Sequence, residues 1–147
     1  MPFKVIVVGT DGSSRASMAV DEAFALAKAY GSTVHVVNAV NSDVAAGLAD
    51  SRSAQSSVTE MQAYIDRTRQ RVVAYAEQQG IPVDFHTPGK TDPADGIVEV
   101  ATNVNADLIV VGNRGMSGMK RFVLGSVPNK ISHGCPCSLL IVNTEPD

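Results

Sequence analysis

Hydrophobic residues recur along this chain with two spacings, and the two spacings alternate from one end of the sequence to the other. Short runs of branched aliphatic residues are typical of buried β-strands, and segments with apolar residues every three or four positions are typical of amphipathic helices. The predicted strands cover residues 4–9, 33–39, 81–87, 107–112 and Ser138–Val142, and the predicted helices cover about 16–30, 58–80, 92–101 and 127–133. This order predicts a single-domain α/β fold with a doubly wound, Rossmann-like sheet of five parallel strands and about four helices.

Two predicted segments stand out from this pattern. Residues 81–87 alternate apolar and polar positions, so we expect this short strand at or near a sheet edge. Residues 41–53 are small and polar, and they predict a long loop between the second strand and the second helix. Long loops in compact domains are often functional lids, so we expect this segment to cover a ligand.

Composition and charge narrow the classes of function. A chain of 147 residues with 44% hydrophobic and 18% charged residues predicts one globular domain over residues 1–147 and argues against a disordered or disulfide-dense chain. The net charge of −3 leaves no basic surplus for the phosphates of nucleic acid. A membrane-spanning helix needs about 20 apolar residues, and the sequence has neither such a run nor the pattern of a secretory signal. We therefore expect a cytoplasmic protein that binds neither nucleic acid nor membranes.

The segment after the fourth predicted strand has the glycine pattern of a phosphate cradle. Gly112 and Gly115 flank Asn113-Arg114, and nine residues later Gly125-Ser126 opens a short predicted helix. The glycines can adopt positive φ and admit backbone N–H groups close to an anion, and the helix start offers unpaired N–H groups and the positive end of the dipole. Arg114 adds positive charge, and Ser126 can donate its hydroxyl. In the alternative interpretation the glycines only form a loop and Ser126 only caps the helix.

This pattern resembles that of the universal stress protein family, whose nucleotide-binding members carry Gly, two residues, Gly, nine residues, Gly and then Ser or Thr. The resemblance extends over the whole chain, through KVIVVGTDGS, DLIVVGNRG and CPCSLLIV. The spacing matches neither the P-loop, which ends in Gly-Lys-Ser or Gly-Lys-Thr, nor the dinucleotide-binding fingerprint. The resemblance implies ATP at the carboxyl edge of the sheet, with a divalent metal, expected to be Mg²⁺, on its phosphates.

The resemblance also implies roles for individual residues. Thr10 and Asp11 would contact the adenosine and the metal, with Asp11 as metal ligand, and the backbone of Ala39 would read adenine. The nucleotide contacts that the resemblance implies are Thr10, Asp11, Ala39, Gly112, Gly115, Gly125, Ser126 and the N–H of Val127. Arg114 joins them on its positive charge alone, and the alternative for Arg114 is a solvated loop charge. An alternative role for Asp11 is to cap the first helix. Two positions depart from the family: Pro128 removes one N–H from the cradle helix, and Asn38 stands where relatives often have histidine.

The last predicted strand carries an expectation about assembly. The resemblance implies a homodimer that forms through Ser138–Val142. Independently, an exposed edge strand as apolar as this one would invite aggregation if it stayed unpaired. Both considerations favour a second copy of the chain as its partner.

The sequence carries no motif for catalysis beside the cradle. His35, His86 and His133 have no paired nucleophile, and Cys135 and Cys137 have neither redox nor zinc spacing. We predict no catalytic residue and interpret the cysteines as a buried or semi-buried thiol pair. We therefore expect a nucleotide-dependent regulator in the stress response, whose ATP occupancy shifts a conformation or the surface for an unknown regulatory protein partner. The alternatives are a slow metal-assisted ATPase, a dimeric interaction module without nucleotide and, less favoured, a flavin-carrying domain.

Overall fold

A computed structural model of the chain describes residues 3–39, 52–89, 92–113 and 124–144, with the side chains of 52–57 excepted. Its strands are β1 (Val5–Thr10), β2 (Thr33–Asn38), β3 (Val83–His86), β4 (Leu108–Gly112) and β5 (Ser138–Val142). Its helices are α1 (Ser14–Tyr30), α2 (Arg52–Gln79), α3 (Pro93–Asn103) and α4 (Ser126–Ser132). These elements follow the predicted order. Residues 40–51, which hold most of the predicted loop, lie outside the described residues.

The five strands form one parallel sheet in the order β3-β2-β1-β4-β5. The predicted doubly wound architecture is therefore confirmed, and β3 lies at a sheet edge as its alternating pattern predicted. The chain adds β2 and β3 on one side of β1 and then returns to add β4 and β5 on the other. The switch point in strand order lies between β1 and β4, which is where sheets of this type bind ligands.

A separate hydrophobic core fills each face of the sheet. Successive side chains of a strand point to opposite faces, so Val8 and Val36 pack against α1 and α2, whereas Val7 and Val37 pack against α3 and α4. All four side chains have no exposed surface. Since both faces are covered, the inner strands are apolar at consecutive positions, and this explains the continuous aliphatic runs in the sequence.

Local side chains explain where the helices begin and end. Ser13 caps α1 by accepting a backbone N–H at 3.2 Å, and Gly31 ends α1 with a φ of 69°. Asp92 caps α3 by accepting a backbone N–H at 2.9 Å, and Pro93 follows as the first helical residue, as predicted. The alternative role of Asp11 as the cap of the first helix is wrong, because Ser13 fills that position.

The longest helix, α2, is buried over only part of its predicted apolar stripe. Val72 and Ala76 are buried against the sheet, as predicted, whereas Val58 is 47% exposed. The apolar spacing near the start of α2 therefore overstated its burial. Neither α2 nor any other described helix is long and apolar enough to cross a membrane.

Candidate functional site

The ends of β1 and β4 lie side by side at the switch point, and the residues around them form the candidate site. β1 ends at Thr10 and β4 ends at Gly112. The parallel register places Asn38, the last residue of β2, opposite Thr10. The Ala39 N–H then donates to the Thr10 carbonyl at 2.6 Å. Three residues predicted to contact a ligand, Thr10, Ala39 and Gly112, thus lie along one edge of the sheet.

The turn from β1 into α1 is held by its own side chains. Thr10 Oγ1 accepts the Gly12 N–H at 3.1 Å, and Asp11 Oδ1 accepts the Ser13 N–H at 2.9 Å. Gly12 has a φ of 84°, in the left-handed region that glycine adopts without strain. Thr10 is only 4% exposed, and the role of its hydroxyl in this structure is to hold the turn. The turn fixes Asp11 immediately beyond the carboxyl end of β1.

Helix α2 contacts the same turn through polar side chains. The hydrophobic periodicity of the sequence does not predict these contacts. The Tyr64 hydroxyl donates to the Asp11 carbonyl at 2.9 Å, and Arg71 Nη2 donates to the Gly12 carbonyl at 3.2 Å. Burial, and then the Asp11 carboxylate, raise the pKa of the Tyr64 phenol, so it remains a donor at neutral pH. A Cβ on Gly12 would lie 2.5 Å from the Tyr64 hydroxyl oxygen and 2.8 Å from Thr68 Oγ1. The close approach of α2 therefore depends on glycine in this turn.

Asn113, directly after β4, joins both ends of the glycine motif to β5. Its N–H donates to the Val142 carbonyl, and its own carbonyl accepts the Gly125 N–H, both at 2.8 Å. Its Oδ1 accepts the N–H and the hydroxyl of Thr144, both at 2.9 Å, and Thr144 is fully buried. The hydrogen bond between the Asn113 carbonyl and the Gly125 N–H therefore holds the end of β4 next to the start of α4. In the sequence, the signal for this linking role of Asn113 is its position directly after a buried strand.

Helix α4 begins at this junction without a side-chain cap. Gly125 is the N-cap residue, and no side chain makes a capping hydrogen bond there. Ser126 and Val127 precede the first intrahelical hydrogen bond, which the Asn129 N–H donates to the Gly125 carbonyl at 3.1 Å. Their N–H groups are thus among the first-turn donors that a helix leaves without intrahelical partners, and Pro128 has no N–H to offer. The alternative in which Ser126 only caps the helix is wrong, because Ser126 is already helical.

The backbone angles correct one expectation about the glycines. Gly125 has a φ of −61°, and the positive-φ glycines of the described residues do not include Gly112. Gly112 has the geometry of a strand residue and Gly125 that of an N-cap residue, so neither contributes a positive φ. Arg114 and Gly115 lie outside the described residues, and their predicted contacts stay predictions.

The histidines and cysteines occupy other parts of the fold. His133 ends α4, as predicted. His35 Nδ1 and His86 Nε2, on neighbouring strands, are 2.9 Å apart, and burial and then His86 lower the pKa of His35. Cys135 and Cys137 are free, half-buried thiols, as predicted, and burial is the main cause that raises the pKa of Cys137 to about 11.

A groove of about 650 Å³ lies between α3 and α4. Ala94, Val98 and Ile131 form its apolar lining, and Lys130 lies at its margin. Among the described residues, none of the predicted nucleotide contacts lines this groove. The described part of the predicted site and the lining of this groove therefore do not overlap.

A doubly wound parallel sheet with its switch point between β1 and β4 defines a Rossmann-like α/β protein, the class that binds ligands beyond the carboxyl ends of its strands. Within that class the chain belongs to the universal stress protein family, whose model matches residues 2–143. A universal stress protein of Methanocaldococcus jannaschii is 31% identical over 141 residues, which cover 95% of this chain and 82% of the relative. The family membership predicted from the motif is thereby confirmed.

Two solved structures share the fold over nearly the whole chain. A universal stress protein in complex with cAMP is 29% identical, with a TM-score of 0.69, and the match covers 99% of this chain and 100% of that one. The universal stress protein from Archaeoglobus fulgidus in complex with dAMP is 24% identical, with a TM-score of 0.69, and the match covers 97% of this chain and 100% of that one. Adenine nucleotides therefore bind to some proteins of this fold.

Proposed function

We propose that this protein binds an adenine nucleotide, with ATP and Mg²⁺ as the expected pair, and acts as a nucleotide-dependent regulator in the stress response. The observation that carries this proposal is the junction at Asn113, whose carbonyl accepts the Gly125 N–H at 2.8 Å. That bond brings the uncapped start of α4 beside the carboxyl end of β4, and helix starts at a switch point favour phosphates. The cAMP complex of a protein 29% identical to this chain supports an adenine nucleotide as the ligand class.

The donors and acceptors at this edge suit phosphates and a metal. Ser126 and Val127 offer backbone N–H groups, and the dipole of α4 favours negative charge at its start. Asp11 offers carboxylate oxygens, which Mg²⁺ prefers, and Mg²⁺ in nucleotide sites takes one or two carboxylates together with phosphate oxygens and water. The described part of the chain has no group of three or more His, Cys, Asp or Glu suited to a metal. The nucleotide's phosphates would therefore have to supply much of the coordination.

A buried acceptor at the same edge suits the base. Asn38 is 6% exposed, and its Oδ1 has no hydrogen-bond partner among the described residues. An unpaired buried acceptor costs about 1–3 kcal/mol, so a rotation of the Asn38 side chain that brings this oxygen to a donor on a ligand would be favoured. Adenine presents an amino group where guanine presents a carbonyl oxygen. We therefore expect Asn38, with the adjacent backbone of Ala39, to prefer adenine.

Regulation is favoured over catalysis by the chemistry of the described side chains at this edge. The Thr10 hydroxyl and the Asp11 carboxylate each accept a backbone N–H, which stabilises a fixed binding surface. Proton abstraction needs a base within reach of the substrate, and the cradle motif provides none. We also propose that the regulator is a homodimer formed through β5.

The nucleotide site can be tested on the purified protein. Heat denaturation followed by chromatography and mass spectrometry identifies any nucleotide that copurifies, and calorimetric titration with ATP, cAMP and GTP in the presence of Mg²⁺ measures affinity. Gly115→Glu places a side chain and a negative charge in the cradle motif, so we expect ATP affinity to fall by at least about tenfold, or 1.4 kcal/mol. Gly134→Glu is the matched control, because a Cβ at Gly134 meets nothing within 4 Å.

The outcomes separate the candidate functions. ATP binding that is lost in Gly115→Glu and kept in Gly134→Glu supports the nucleotide-dependent regulator. Bound ADP, with a turnover that Asp11→Ala abolishes, would instead favour the slow ATPase. No nucleotide released and none bound on titration would contradict the site and leave the dimeric interaction module.

A further inference from the structure

Two histidines on neighbouring strands of the sheet are not among the residues assigned to the nucleotide site. His35, in β2, and His86, at the end of β3, point to the face covered by α3 and α4, because they alternate with residues of the other core. His35 Nδ1 lies 2.9 Å from His86 Nε2 and 3.8 Å from Asp84 Oδ2. The His35 side chain is 12% exposed and the Asp84 side chain is 69% exposed, so the cluster opens to solvent at the β3 edge.

The two distances from His35 Nδ1 to the other donors lie on either side of the donor–donor distance in a metal site. Zn²⁺ binds imidazole nitrogens at about 2.0–2.1 Å, which places neighbouring donors of a tetrahedral site about 3.3 Å apart. The separations of 2.9 and 3.8 Å differ from this value by amounts that small side-chain rotations remove. We propose that His35 and His86 bind a divalent transition metal of the zinc class, with Asp84 as a third ligand after rotation.

The chemistry of the donors sets which metal is expected. Imidazole suits Zn²⁺, Cu²⁺ and Ni²⁺, whereas Mg²⁺ and Ca²⁺ prefer oxygen donors. No described group of three ligands is already assembled for a metal, so two histidines carry the binding and the exposed Asp84 carboxylate must move to join them. The proposed site therefore differs from the site expected for Mg²⁺ on a nucleotide in its ligand residues and in its metal preference.

The cysteine pair is the competing zinc site, and the experiment must separate the two. Metal-free protein is titrated with Zn²⁺ by calorimetry at about pH 7.5, where free imidazoles are mostly neutral, without nucleotide and then with excess Mg²⁺. Co²⁺ absorption reports the ligand type, since thiolate ligands add charge-transfer absorption that histidine ligands lack. The variants are His86→Gln, His35→Gln and Asp84→Asn, and the controls are His133→Gln and the double variant Cys135→Ser/Cys137→Ser.

We expect one Zn²⁺ per chain, which excess Mg²⁺ does not displace, and Co²⁺ spectra without thiolate bands. His86→Gln and His35→Gln should each weaken Zn²⁺ binding by at least about tenfold, because even residues outside the ligand set change metal affinity by about 10- to 100-fold. Asp84→Asn should have a smaller effect, and both controls should bind as the wild type does. Circular dichroism verifies that each variant is folded, and His86, on an edge strand, is the variant least able to disturb the core.

Three results would overturn the metal site. The first is that the wild type does not bind Zn²⁺. The second is that folded His86→Gln protein binds Zn²⁺ as tightly as the wild type. The third is that the cysteine double variant loses Zn²⁺ binding while the histidine variants retain it. Because the titration needs no nucleotide, its outcome is independent of the proposed nucleotide site.

Discussion

At the scale of single residues, Asp92 combines a helix cap with an ion pair. Its carboxylate accepts the Ala94 N–H at 2.9 Å and a hydrogen bond from Lys130 Nζ at 2.7 Å. Asp92→Ala removes both contacts, and loss of an N-cap typically lowers the free energy of unfolding by about 1 kcal/mol. Asp92→Asn keeps a capping oxygen and should cost less. Urea unfolding at about pH 7 measures both values; equal losses in the two variants would contradict the capping role.

The same carboxylate predicts the direction of a pH effect. The hydrogen bond from Lys130 is the main cause that lowers the pKa of Asp92 from its usual value of 3.8. Since the folded pKa lies below the unfolded one, the ionised form stabilises the fold above the unfolded pKa, and this contribution is lost as pH falls through the folded pKa. We expect the stability difference between the wild type and Asp92→Asn to shrink below about pH 4. A difference that stays constant to about pH 3 would contradict the expectation.

The capping role of Asp92 is predictable because the N–H that it accepts belongs to Ala94, two residues later in the sequence. Asp92 and Pro93 form a recognisable helix start, and both take the expected positions. Tyr64 contacts a carbonyl 53 residues away, and His35 meets His86 across 51 residues. Such pairs depend on strand register and helix placement, which hydrophobic spacing does not encode residue by residue. The sequence therefore shows the glycine motif but not the side chains that position it.

At the scale of elements, the β1–α1 turn and α2 depend on each other through Gly12. Alanine at Gly12 would adopt a φ of 84° and place its Cβ 2.5 Å from the Tyr64 hydroxyl oxygen. Gly80 is a matched control, since its φ is 69° and a Cβ there meets nothing within 4 Å. The left-handed conformation costs either alanine about 1–2 kcal/mol, and overpacking adds about 1–3 kcal/mol at position 12 alone.

We therefore expect Gly12→Ala to lower the free energy of unfolding by at least about 1 kcal/mol more than Gly80→Ala, measured by urea unfolding. If the nucleotide site includes Asp11, Gly12→Ala should also weaken ATP binding while Gly80→Ala leaves it unchanged. Equal stability losses in the two variants would show that α2 does not constrain the turn.

The ends of elements follow packing and capping more closely than they follow hydrophobic spacing. The third strand was predicted over 81–87, but only Val83–His86 pairs with β2, because an edge strand has a single neighbour to define its length. In α2 the apolar spacing includes Val58, yet that residue is 47% exposed. Periodicity identifies an element, whereas the reach of the neighbouring sheet decides how much of it is buried.

At the scale of the whole molecule, helices cover both faces of the sheet, so the sheet exposes its backbone groups at its two edges. The Val142 carbonyl accepts the Asn113 N–H at 2.8 Å, so Val142 bonds toward β4. Along a parallel strand this direction alternates, and Leu139 and Ile141 therefore point their backbone N–H and C=O groups away from β4. Among the described residues no strand pairs with the outer edge of β5, and a half-buried, apolar strand at a sheet edge favours pairing with a second copy of the chain.

The proposed dimer therefore depends on the outer edge of β5 and not on β3. Ile141→Lys places an inward-pointing charge in the strand whose backbone would pair, one of the devices by which natural edge strands prevent association. We expect its dimer dissociation constant, measured by analytical ultracentrifugation, to rise by at least about tenfold, or 1.4 kcal/mol. Thr87→Lys adds the same charge beside β3, at an exposed position of the opposite edge, and should leave dimerisation unchanged. A folded Ile141→Lys protein that dimerises as tightly as the wild type would place the interface elsewhere, and the apolar character of β5 would then reflect only its packing against the two cores.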